Sequence, residues 1–163
     1  GVILAGTVLG TAVVVYEKKY ATQASTYGTE TRGSSSQSVV VISTRKIGYP
    51  EVEKCDVLVA MTQEALDRNA RNLKEDSLVV VEQDLAARIP AGIRRIYRIP
   101  ATSMAERELK SRTYANMIML GALSALSDVV SADGCKSAIR EIVPPGTVTQ
   151  NLAAFDLGSK FKR

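Results

Sequence analysis

The stretch CDVLVAMTQEALDRNARNLKEDSLVVVEQ, residues 55–83, decides the fold. It opens on a short apolar run, CDVLVAM (55–61), and closes on a second, SLVVVEQ (77–83). Runs this short and this rich in β-branched residues suit strands covered on both faces. Between them TQEALDRNARNLKE (62–75) has apolar residues at helical spacing, and Thr62 is a residue type that caps helices. Strand, helix, strand makes a βαβ unit, whose two strands lie parallel.

Working outward, SVVVIS (38–43) is a third β-branched run, and RRIYRIPA (94–101) alternates like a half-exposed edge strand, expected over 94–99. Helices are expected over the apolar N-terminal run GVILAGTVLGTAVVVY, after a capping box at Ser103-x-x-Glu106, and over 112–130. A Pro144-Pro145-Gly146 break precedes a last helix from about 150 to 161. The alternation predicts an α/β chain: a three-layer α/β/α sandwich with a mainly parallel or mixed sheet, in a single domain over residues 1–163.

Composition narrows the function. With 163 residues, 45% of them apolar and 23% charged, the chain can bury a substantial core. The net charge of +4 is spread along the sequence, with only two Phe and no Trp to stack on bases, which argues against nucleic acid. The N-terminal apolar run is short for a membrane span and is read as a buried helix. Its Gly6-x-x-x-Gly10 spacing is read as close packing on a sheet rather than as a membrane dimer motif. There is no histidine, and the two cysteines, Cys55 and Cys135, are far apart in apolar contexts, so no zinc or iron–sulfur ligand set and no histidine-dependent catalytic triad exists in this chain. Both cysteines are read as free, buried thiols in a reducing cytoplasm.

Residues 20–41, YATQASTYGTETRGSSSQSVVV, are expected to form a long polar connection between helix and strand. A connection of this length either lacks fixed structure or holds something. Arg32, beside Gly33, is either a solvated charge or a phosphate ligand backed by backbone amides. Gly1 stands before the first helix, either as a simple turn or as the end of an anion-binding loop. Asn116 falls on the core side of its helix with Leu120 and Leu123, where it satisfies a nearby backbone group or serves a ligand. Asn151 falls at the start of the last helix, as a cap or a first-turn residue.

Taken together, GVILAG, YATQASTYGTETRGSSSQSVVVIS, CDVLVAMTQEA, IPATSMAERE, ANMIMLGAL and SAIREIVPPGTVTQNLAAFDLG resemble, in this order, the gamma subunit of the 2-oxoacid:ferredoxin oxidoreductases, the family of the pyruvate, 2-oxoglutarate and 2-oxoisovalerate enzymes. The resemblance covers nearly the whole chain. The family's GPEARGG-like loop stands here as GTETRGS, with Thr29 for the proline and Ser34 for the last glycine. The resemblance implies a cytoplasmic, multi-subunit enzyme that converts a 2-oxoacid and coenzyme A to acyl-CoA and carbon dioxide with electrons passing to ferredoxin. It places thiamine diphosphate and the iron–sulfur clusters in partner subunits, so that the isolated chain is inactive. By resemblance, Gly1, Arg32, Asn116 and Asn151 are the positions that help to hold coenzyme A. Two rivals stand beside this reading: a scaffold subunit of the same complex, and an independent nucleotide-binding domain.

Overall fold

The computed structural model describes residues 1–27, 36–86 and 88–162. The βαβ unit is present. Strand β3 (Cys55–Ala60), helix α2 (Gln63–Asn69) and strand β4 (Leu73–Glu82) follow in order, and β4 pairs in parallel with β3 on one side and with β5 (Arg95–Ile99) on the other. Thr62 Oγ1 accepts from the Ala65 N–H, the cap expected of it. The helix ends earlier than its spacing predicts. A 3₁₀ turn over Ala70–Asn72 leads straight into β4, whose pairing with β3 is irregular between Cys55 and Val57.

β4 is the centre of the sheet, and its alternation divides the core. Leu78 and Val80 face a large cluster built around helix α4 (Ala115–Leu126), whereas Val79 and Val81 face Ala60, Leu66 of α2 and Ala86. Helices therefore cover both faces of the three-stranded parallel sheet, as an α/β layered chain requires. The crossover from β4 to β5 carries no helix among the described residues; Gln63 pins it, donating from Nε2 to the Arg88 carbonyl at 2.7 Å and accepting the Arg88 N–H at 2.9 Å.

Two expectations at the N-terminal side are corrected. Residues 20–41 are not one long loop, because β1 (Tyr20–Tyr27) pairs antiparallel with β2 (Ser36–Ser43) across eight positions. Nor does the run 38–43 join the parallel sheet; the hairpin is a separate two-stranded sheet packed on helix α1 (Val2–Thr11), and β2 is only partly covered. Gly6 makes that packing possible, since a Cβ there would lie 2.1 Å from Ser38 Oγ, while Gly10 meets nothing. Beyond α1 the backbone continues as a π-helix over Ala12–Tyr16 and turns back at Lys18, whose φ is +57°.

The remaining helices are α3 (Ala101–Leu109), α4 (Ala115–Leu126), α5 (Ala132–Ile142) and α6 (Val148–Gly158). The capping box at Ser103 is not formed. α3 begins three residues earlier, with Pro100 at the N-cap; Ser103 Oγ donates back to the Pro100 carbonyl, and Glu106 pairs with Arg112 instead. The expected helix over 112–130 splits into a 3₁₀ turn at Arg112–Tyr114 and α4, which stops where Ser127 turns extended. α4 is buried along nearly its whole length. It crosses α6 so closely that a Cβ on Gly158 would lie 1.9 Å from the Ile118 carbonyl oxygen, and one on Gly121 would lie 2.1 Å from that of Phe155.

Candidate functional site

The site is built where α1 and α4 begin. Gly1 occupies the N-cap position of α1, is exposed, and uses its carbonyl oxygen twice: the Ala5 N–H donates to it at 3.1 Å and Asn116 Nδ2 at 3.0 Å. Asn116 is the second residue of α4 and only 8% exposed, on the core side as its helical phase with Leu120 and Leu123 predicts. A contact between residues 1 and 116 is thus made through one buried carboxamide. Its other end, Oδ1, is buried without a hydrogen-bond partner. Buried side-chain polar atoms are normally paired, so this oxygen is an exception that asks for a donor. The free N–H groups of the first turn of α1 add a partial positive charge at the same place.

The hairpin packs along α1 next to this region. Gln23 Nε2 donates to the Ile3 carbonyl at 3.2 Å and to Ser38 Oγ at 2.9 Å, and Thr7 Oγ1 lies 3.2 Å from Gln23 Oε1. β1 starts beside the π-helix that follows α1 and reaches Gln23 level with Ile3 and Thr7, so it runs back along α1 toward Gly1. Pairing ends at Tyr27 and Ser36. Arg32 belongs to the connection between them and lies outside the described residues. The small polar residues of 20–41, read above as loop, are what allows this docking: Gln23 bonds the Ile3 carbonyl of α1, and the Ser38 hydroxyl accepts from the same Gln23 amide.

Asn151 is not part of this convergence. It is 5% exposed, fourth in α6, and donates from Nδ2 to the Thr147 carbonyl at 2.8 Å, a bond within its own helix start. The helices α4 and α6 run antiparallel, with Gly158 against Ile118 and Phe155 against Gly121, which sets Asn151 level with about residue 125. At 1.5 Å per residue that is roughly 14 Å along the helix from Asn116.

Sequence reasoning missed two carboxylates that shape the ends of other helices. Glu82, at the carboxyl end of β4, is fully buried; its Oε1 accepts the Thr102 N–H at 2.9 Å and its Oε2 the Leu85 N–H at 2.8 Å. Open parallel sheets usually bind ligands outside the carboxyl ends of their strands. Here the chain's own carboxylate caps α3 in that position. The signal was an acid ending an apolar run, SLVVVE, just before a turn. Glu17 does likewise for α5, accepting the Ser131 N–H at 2.6 Å while Lys19 Nζ lies 2.8 Å away. Burial works to raise the Glu17 carboxyl, but the bonds from Lys19 and Ser131 outweigh it and hold it below its ordinary value.

Both cysteines are free, but only Cys135 is buried as expected; Cys55, at the start of β3, is partly exposed. Burial raises the Cys55 thiol and pushes that of Cys135 up to about 12, which leaves Cys135 a packing group. Among the described residues, no three or more His, Cys, Asp or Glu side chains gather to hold a metal ion, and no helix is long and apolar enough to cross a membrane.

Comparison with known proteins agrees with the architecture. The family model of the pyruvate ferredoxin/flavodoxin oxidoreductases matches residues 1–161. The chain is 42% identical to 2-oxoglutarate synthase subunit KorC of Methanocaldococcus jannaschii, over 97% of this chain and 86% of that one. It superimposes with a TM-score of 0.83 and 35% identity on the gamma subunit of a keto/oxoacid ferredoxin oxidoreductase from Geobacter sulfurreducens, covering 96% of this chain and 88% of the other. A 2-oxoglutarate:ferredoxin oxidoreductase from Magnetococcus marinus, solved with 2-oxoglutarate, coenzyme A and succinyl-CoA bound, matches with a TM-score of 0.76 and 25% identity; 96% of this chain corresponds to 27% of that longer one. The N-terminal helix, the hairpin and the parallel sheet thus sit in a chain that belongs to the pyruvate ferredoxin/flavodoxin oxidoreductase family.

Proposed function

We propose that this chain is the gamma-type subunit of a 2-oxoacid:ferredoxin oxidoreductase, over residues 1–163, and that the start of α1 is its share of a coenzyme A site. The observation that carries this reading is the meeting of Gly1 and Asn116, with a helix N-terminus on one side and a buried, unpartnered carboxamide oxygen on the other. The N–H groups of α1 suit a phosphate. Arg32, in the connection that joins the two hairpin strands, supplies the charged partner, since a guanidinium engages a phosphate with two parallel bonds. Asn151, already bonded within α6, serves a different part of the ligand or none.

Thiamine diphosphate and the iron–sulfur clusters belong to partner subunits in this reading, as does the pocket that chooses the 2-oxoacid. The enzyme works in the cytoplasm and passes its electrons to ferredoxin through those partners. The relatives named as subunits, and the relative in which the matching segment is a quarter of one longer chain, support an assembled enzyme.

The scaffold reading has an observation of its own: Val14, Val15, Tyr16 and Tyr20 are all exposed along the π-helix and the start of β1, an apolar surface that suits a protein partner. It competes with the coenzyme A reading only if the hairpin connection is itself interface. Arg32→Ala in the assembled enzyme separates the two. A charge-assisted bond contributes about 1.5–3 kcal/mol, so the Kd for coenzyme A rises about ten- to a hundredfold, and the difference shrinks at high salt. An unchanged Kd in a correctly assembled complex hands the connection to the scaffold reading.

A further inference from the structure

We draw no further inference here: the strongest candidate, the exposed apolar face of Val14, Val15, Tyr16 and Tyr20 along the π-helix and the start of β1, with the groove beside Gly10 that adjoins it, carries nothing because nothing in the structure shows what covers it.

Discussion

Asn116 and Asn151 show what a single sequence conveys about individual residues. Both are amides at buried helix positions, and both end up paired with a backbone carbonyl. Helical phase was enough to place Asn116 on the core side. It did not reveal that the partner would be Gly1, because a contact across 115 positions is made by the packing of α1 on α4 and not by local pattern. Glu17 was invisible for the same reason. Its role is to cap a helix that begins more than a hundred residues later. Replacing it with Gln removes a charge-assisted bond at the N-terminus of α5 and is expected to destabilise the chain at pH 7 by about 1–2 kcal/mol. Because the folded carboxyl is held below its ordinary value, near 4.3 in model peptides, the stabilisation is complete above that range. It disappears as pH falls through the depressed folded value. Thermal melts from pH 7 to pH 3 should show wild type and Glu17→Gln converging in acid, and a gap that stays constant would remove the carboxylate from the account.

At the scale of elements, what was legible follows from burial. β4 is covered on both faces, so its run reads as a continuous apolar strand; β5 lies at the sheet edge as expected, but its burial does not alternate, because Ile96 packs on one cluster and Tyr97 and Ile99 on the other. β1 was missed because YATQASTY has little to bury: six of its eight positions are exposed and its pairing partner is only partly covered. Thr and Tyr favour strands, yet without an apolar face the period of two leaves no hydrophobic signal. The false capping box at Ser103 arose because the motif is short, and the buried Glu82 caps α3 from another element. The crossing of α4 and α6 was also outside sequence reach, since glycine inside a helix announces close approach without naming the neighbour. Gly158→Ala forces a Cβ against the Ile118 backbone, which cannot rotate away as a side chain can. The variant is expected to lose about 1–3 kcal/mol despite the better helix propensity of alanine. Gly10→Ala, where nothing lies within 4 Å, is the control and should be neutral or stabilising in chemical denaturation. Equal effects at the two glycines would contradict the crossing.

For the whole molecule, the α/β class and the family were both within reach of the sequence, one through alternating elements and the other through the order of six motifs. The arrangement of the N-terminal third was not, because the hairpin leaves the sheet to lie on α1. That departure sets the hairpin along the chain's first helix, at whose start Gly1 meets Asn116, while Glu82 caps α3 at the end of β4. The central claim is that this end of the molecule holds part of coenzyme A in the assembled enzyme. Backbone amide hydrogen exchange of the assembled complex, with and without saturating coenzyme A, tests it most directly. The account predicts slower exchange on binding in the first turn of α1, at residues 115–117 and in the hairpin from Gln23 through Ser38, with no change in α2 or β5. Protection confined to partner subunits, or spread over the exposed Val14, Val15 and Tyr16 surface while the start of α1 stays unchanged, would contradict it.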